Sequence, residues 1–323
     1  MKKMKVASFF AGIGGIDLGF EQTGRFEVVY ANEYNPDPVK TYEENFNIKV
    51  DCRSINEVKP EDVPDVDVII GGFPCQAFSI AGYRKGFEDE KGRGVLFFEL
   101  LRIIKAKKPS VVFLENVKNL VSHNEGNTFR VILEALKDAG YHVKYQVLNG
   151  TTHGNVPQNR ERIYIVGFKN IENYQRFDFP EPIKLEKTIA DVVELENKVN
   201  DCYYYTKEKY PRIFETVNTN ELKNETIYQW RRVYLRENKA NVCPTLTANM
   251  GTGGHNVPLI KTKYGLRKLT PRECFSFQGY PESYKLPKIS DSKLYKQAGN
   301  SVVVPVINRI AANIAKALYD VNH

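Results

Sequence analysis

Cysteine is scarce in this 323-residue chain: there are five, Cys52, Cys75, Cys202, Cys243 and Cys274, an odd and scattered set with no Cys-x-x-Cys pair. The five histidines form no ligand cluster with them. Both a disulfide framework and a zinc site are therefore disfavoured, and the usage suits a reducing, intracellular compartment. No apolar run reaches the 18 or so residues of a transmembrane helix. The N-terminus, "MKKMKVASFFAGIGGIDLG", begins like a secretory signal, but Gly12, Gly14 and Gly15 interrupt its apolar stretch and Asp17 ends it. No small-x-small cleavage site follows, so no signal peptide is expected. Internal repeats and low-complexity tracts are absent as well, and the glycines of "FFAGIGGIDLGF" do not make the Gly-x-Gly-x-x-Gly dinucleotide fingerprint.

What is present is a globular composition, with 42% hydrophobic and 26% charged residues. The length leaves room for one large domain or two. A formal net charge of +7 permits an anionic partner without identifying one.

The first half of the chain alternates two periods. "KVASFF", "FEVVYA", "VDVIIGG", "SVVFLE", "YHVKYQVL" and "RIYIVGF" read as strands, and 36–45, 95–105 and 128–139 as helices. Strand and helix in alternation predict an α/β fold with a parallel sheet covered on both faces. After Phe179 the texture changes at the linker-like "FPEPIKLEK". From Tyr203 to Gly265 there are ten Lys/Arg against five Asp/Glu, a polar-aromatic "YQWRRVYLREN" and a glycine-rich "NMGTGGHN". This part reads as a smaller, irregular module. Helical period returns from about Val306, in a segment expected to dock on the first domain. The expected division is 1–181 with 297–323 for the first domain, and 182–296 for the second domain and hinge.

The glycine loop follows the first strand, where it would let a ligand approach the backbone closely. Glu33 ends the second strand, where an acid can bind ribose hydroxyls. A packing turn and a surface acid would look the same. Cys75 follows the third strand in "GGFPCQAFS". A lone cysteine is more often a buried core residue than a reactive one. At the end of the next strand, however, "ENV" brings Glu115 and Asn116 to the same carboxyl edge, where open α/β sheets bind ligands. "PQNRERIYIVG" brings Arg160 and Arg162 there too. A thiol, a carboxyl group and a fixed cation could then converge over one crevice.

With these motifs in order ("FFAGIGG", "NEYNPD", "GGFPCQAFS", "ENV", "QNRERIY", "RKLTPRECFSFQGYPE" and "QAGNSVVVPV"), the chain resembles the bacterial DNA (cytosine-5)-methyltransferases almost end to end. One departure is Ser8, where many members carry Asp, which bears on how the loop is supported. The resemblance implies a Rossmann-like S-adenosylmethionine-dependent domain with a second, smaller target-recognition domain. Cys75 would be the nucleophile, adding to carbon 6 of cytosine so that carbon 5 can take the methyl group. Glu115 would bind the ring's N3 and exocyclic amine, Arg162 its O2, with Arg160 in support. Phe10, Gly12, Gly15, Glu33, Asp51, Gly72, Leu96 and Asn300 resemble the cofactor-site positions, with Glu33 on the ribose and Asp51 on the adenine amine. S-adenosylhomocysteine would be the product, and no metal is required.

A base inside a duplex must be turned out to be methylated. By the same resemblance, Gln76 and Ser79 would lie near the extruded base. Arg231, Arg232 and Arg236 suit phosphate and guanine contacts, and Thr245 and Leu246 form the Thr-Leu pair typical of target-recognition regions. A solvated basic face is the plainer reading of those arginines. The module is similar to those that read short CC…GG palindromes. The implied partner is double-stranded DNA, acted on by a cytoplasmic, membrane-free monomer, with a cognate restriction endonuclease acting separately. The alternative within the fold is a tRNA cytosine-5-methyltransferase. A non-catalytic binding protein would be expected to lose Cys75 or Glu115, and a nicotinamide-dependent dehydrogenase is disfavoured by the missing fingerprint.

Overall fold

The computed structural model describes residues 2–74, 96–216, 218–231, 234–252 and 257–319; Cys75, Gln76, Ser79 and Arg232 lie outside them. The chain divides into two compact units: Met1–Leu148, Glu161–Glu181 and Val306–His323 make the first, Asn149–Arg160 and Pro182–Pro305 the second.

The strands of the first sheet are β1 (Met4–Phe9), β2 (Phe26–Asn32), β3 (Val68–Gly71), β4 (Val111–Val117), β5 (His142–Asn149) and β6 (Glu161–Phe168), in the order β2-β1-β3-β4-β6-β5. β1 pairs in parallel with β2 and β3, and β3 with β4. β6 departs from the expected all-parallel arrangement, running antiparallel to β4. The segment 150–160 before it is shorter than the dozen or more residues of a parallel crossover.

Local chemistry explains the covering helices. Pro36–Glu43 starts on Asn35, whose side chain accepts from the Asp37 N–H, with proline in its first turn. Asn127–Asp138 buries Val131, Ile132, Ala135 and Leu136, a stripe at helical spacing. With both faces covered, Val111–Leu114 of β4 are fully buried, which is why the strand reads as a continuous apolar run. The apolar stretch Asp291–Tyr319 has the hydropathy of a membrane span. It is two helices, Asp291–Asn300 and Val304–Tyr319, and Val306, Ile307, Ile310, Ala311 and Ile314 of the second are core residues.

The second unit is more regular than its sequence texture suggests. It carries a four-stranded sheet of order β10-β9-β7-β8, built from β7 (Ile227–Arg231), β8 (Tyr234–Glu237), β9 (Leu259–Thr262) and β10 (Gly265–Lys268). β9 pairs antiparallel with β10 and with β7, and β7 antiparallel with β8. Strands of four or five residues are too short to show a clear period. Arg267 of β10 is fully buried and forms a two-pronged ion pair with Glu273, at 2.6 and 2.8 Å. The Glu273 carboxyl also closes a capping box with Thr270 at the start of helix Pro271–Ser276. The same guanidinium donates to the Glu194 carbonyl at 2.7 Å, tying an otherwise irregular segment to the sheet.

Candidate active site

Strand register, more than any loop, assembles the site. Phe9 is level with Asn32 on one side and Gly71 on the other, and Gly71 with Leu114. The next residue of each strand is Phe10, Glu33, Gly72 and Glu115. These four widely separated positions therefore form one row along the carboxyl edge of the parallel strands. β6 starts at this edge because it runs the other way, with Arg162 opposite Val117 and Tyr164 opposite Glu115. Glu115 and Arg162 are thus diagonal neighbours on one face, within reach of long side chains.

They meet. Arg162 Nε lies 3.1 Å from Glu115 Oε1, and each side chain is only about one-eighth exposed. The other carboxylate oxygen faces Gly72, where an added Cβ would stand 3.2 Å from Oε2. Glu115 is thus held beside the backbone that leads through Phe73 and Pro74 to Cys75. Asn116, a buried member of "ENV", secures the same segment: its Nδ2 donates to the Phe73 carbonyl at 2.7 Å, while its Oδ1 accepts from the Val117 N–H at 2.8 Å.

On the other flank, Glu33 accepts from the Gly12 N–H at 3.0 Å and the Asn35 N–H at 2.8 Å. Its burial raises the carboxyl pKa despite these two donors. Asp51 bridges onto the end of β2 at Asn32, beside Glu33. Its carboxylate takes the Arg53 Nε and Nη2 donors at 3.0 and 2.7 Å, the Arg53 backbone N–H at 3.1 Å and the Tyr30 hydroxyl at 2.9 Å. The Arg53 side chain is the chief cause of its lowered pKa. Gly15 opens helix Gly15–Glu21 and is buried, and Leu96 opens helix Leu96–Lys107. Beneath the loop, the Tyr42 hydroxyl donates to the buried Asp17 carboxyl at 2.8 Å, and Ser8, the departure from the family pattern, is buried in the same strand that leads into the loop. Tyr30 and Arg53, whose side chains hold the Asp51 carboxylate, belong to none of the sequence motifs.

The remaining candidates belong to the second unit. Arg160 is buried, and its guanidinium donates to the carbonyls of Leu246 (2.8 Å), Gly299 (2.9 Å) and Ser301. Thr245 Oγ1 donates to the Asn159 carbonyl at 2.6 Å, and the Leu246 N–H donates to Gln158 at 3.2 Å. The Thr-Leu pair is therefore seated on "PQNR". Asn300, exposed, ends helix Asp291–Asn300. The preceding Gly299 lets that helix approach: a Cβ there would fall 2.2 Å from the Thr247 carbonyl. Arg231 and Arg236 lie on β7 and β8.

The family model of the C-5 cytosine-specific DNA methylases matches residues 4–316. The Type II methyltransferase M.Bsp6I of Bacillus sp. (strain RFL6) is 64% identical over 98% of this chain and 99% of its own length. M.HhaI of Haemophilus parahaemolyticus is 40% identical over 98% of this chain and 95% of its own. Among solved structures, a DNMT2 variant from Spodoptera frugiperda superposes with a TM-score of 0.75 at 21% identity, covering 97% of this chain and 99% of that one, a likeness of fold. The chain belongs to the C-5 cytosine-specific DNA methylase family. It is an S-adenosylmethionine-dependent enzyme that methylates cytosine in DNA.

Proposed function

We propose that the enzyme acts on a cytosine turned out of a short, specific double-stranded DNA site, through covalent addition of Cys75 to carbon 6 of the base. The observation that carries this reading is the Glu115–Arg162 pair beside Gly72, at the edge to which the Cys75 segment leads.

A thiol of ordinary pKa, about 8.5, is partly thiolate near neutral pH and intrinsically nucleophilic. Its sulfur would bond to carbon 6, moving the electron pair of the 5,6 double bond to carbon 5. Glu115 would hold N3 and the exocyclic amine, favouring the protonated, electron-poor ring. Arg162 would contact O2 and, through its bond to Glu115, fix the carboxyl in place. Loss of the carbon 5 proton to a water molecule, with its electron pair re-forming the 5,6 double bond as the Cys75 thiolate departs, would restore the ring. S-adenosylmethionine supplies the electrophilic methyl group when bound.

The edge row suits that cofactor. An added Cβ at Gly12 would meet nothing closer than the Phe10 carbonyl at 4.0 Å, so the loop backbone borders open space. Glu33 has acceptor capacity beyond its two backbone donors. Glu33 would take the ribose hydroxyls and Asp51 the adenine amine, with Phe10, Gly12, Gly15, Gly72, Leu96 and Asn300 completing the site. Arg160 would act by organising the Thr245–Leu246 stretch and "GNS", a supporting role. Residues 1–181 with 297–323 would carry catalysis, and 182–296 target recognition, with Gln76 and Ser79 near the extruded base. The relatives named as Type II methyltransferases support a modification enzyme; on our reading it works as a cytoplasmic monomer, with a cognate endonuclease acting separately. Bisulfite sequencing of DNA from cells expressing the protein should show one short site methylated at cytosine carbon 5. Unmodified DNA alongside methylated tRNA would reject the reading.

A further inference from the structure

β7 and β8 pair with Tyr228 opposite Glu237, Gln229 opposite Arg236, Trp230 opposite Leu235 and Arg231 opposite Tyr234. Side chains alternate between faces along a strand, so the ribbon sorts these residues into two sets. Tyr228, Trp230 and Leu235 join the apolar cluster of Leu259 and Leu266. Gln229, Arg231 and Arg236 fall on the opposite face, and all three line a cavity of about 380 Å³ with Asn159, Asn238 and Thr245. No acidic residue stands among the described residues that line it, so it presents two cations and a set of neutral hydrogen-bonding groups. Within it, Arg231 Nη2 donates to Gln229 Oε1 at 3.1 Å.

We propose that Gln229 is a specificity-determining residue: it positions the Arg231 guanidinium so that its fork meets a guanine edge at one base pair of the target site. The inference rests on the reading that this unit recognises DNA. An exposed arginine has many rotamers and loses that freedom on binding. A neighbour that already holds the guanidinium lowers this loss and narrows the directions the fork can take. A bidentate fork reads guanine O6 and N7 together, which no other base offers in the same geometry. Gln229 can do this because its register places it directly beside Arg231 on the same face and across from Arg236. Tyr228 and Trp230, one residue either way, point into the apolar cluster and cannot.

The test is methylation of a randomised duplex library by full-length enzyme, with S-adenosylmethionine affinity measured in parallel as a check on folding. Arg231→Ala should flatten the preference at one base pair by about tenfold or more. Gln229→Met, similar in length but without the amide acceptor, should flatten the same base pair severalfold. Gln229→Glu, which keeps an acceptor for Arg231, should retain the preference. The Gln229→Met/Arg231→Ala double variant should be no worse than Arg231→Ala alone, since coupled residues are not additive. The proposal is overturned if Gln229→Met keeps the parental preference while Arg231→Ala loses it. It is also overturned if both variants weaken all sites alike and lower the salt slope, the mark of phosphate contact. A wild type that methylates no cytosine in the library would overturn the functional reading, and the inference with it.

Discussion

Glu115 and Arg162 lie 47 positions apart in the chain, yet the diagonal of the β4–β6 ladder sets their side chains 3.1 Å apart. The pairing fixes a carboxyl group that would otherwise have several rotamers. Glu115→Gln keeps the shape and removes the charge. Because a positioned acid–base group contributes about 10²-fold or more, the single-turnover methylation rate should fall by at least that factor, with DNA binding largely retained. Rates within threefold of wild type would deny Glu115 its role.

Gly72 offers a gentler perturbation of the same carboxyl. A methyl group there would press on Glu115 Oε2 at 3.2 Å and touch Ile16 Cδ1 at 3.6 Å. The end of the Glu115 side chain can yield, so Gly72→Ala should fold. Misplacing a reacting group by about 1 Å can cost up to about a hundredfold, and the variant should lose rate within that bound while its thermal midpoint moves by only a few degrees. A normal rate in a normally folded variant would show that the carboxyl tolerates displacement.

Asp51 already receives four donors, three of them from Arg53. With Asp51 proposed to take the adenine amine, that amine would have to replace one of them. Asp51→Ala should weaken S-adenosylmethionine binding roughly tenfold, the scale of one hydrogen bond to a charged group. Arg53→Ala should leave the affinity unchanged or improve it. Calorimetric titration separates the cases, and a loss with Arg53→Ala equal to that with Asp51→Ala would mean the arginine itself holds the ligand.

Asp17 is fully buried, and burial pushes its pKa up to about 6 against the hydrogen bonds of Tyr42 and Ser8. The folded state favours the protonated carboxyl. Its contribution to stability is fully present below the unfolded value, about 3.9, and is lost as pH rises through about 6. Asp17→Asn should remove that pH-dependent loss and be less destabilising, or even stabilising, near neutral pH than at pH about 4. Denaturant unfolding across this window gives the answer; parallel curves for the two proteins would place the pH dependence elsewhere.

Much of this was legible in the sequence. All six strands of the first sheet fall on the runs read from it. The buried β3 and β4 read as continuous apolar runs because both their faces are covered, whereas the edge strand β5 is exposed or half-buried along most of its length and shows only a mixed pattern. The candidate positions and their convergence on one sheet edge were legible as motifs at strand ends, but the strand direction that joins Glu115 to Arg162 was not. The Glu115–Arg162 contact depends on β6 being antiparallel, which strand-helix alternation alone predicts wrongly. The sequence puts Arg160 and Arg162 together at one strand entry, yet the chain passes between units at that point and Arg160 is spent on backbone carbonyls of the second. Tyr30 and Arg53 gave no signal, since a tyrosine inside a strand and an arginine in a loop are ordinary until their hydrogen bonds to Asp51 are seen. The short strands of the second unit mix arginine with aromatics because one face packs and the other does not, a pattern that four or five residues cannot declare.

The covalent step is the central claim, and a mechanism-based trap tests it most directly. Duplex DNA carrying 5-fluorocytosine at the target position cannot release a proton from carbon 5, so the enzyme should remain attached after Cys75 has added and the methyl group has transferred. Wild-type protein with S-adenosylmethionine should give a denaturation-resistant protein–DNA adduct whose cross-linked peptide contains Cys75, and Cys75→Ser should give none while still binding the duplex. An adduct of equal yield from Cys75→Ser, or a cross-link mapped to another cysteine, would contradict the account.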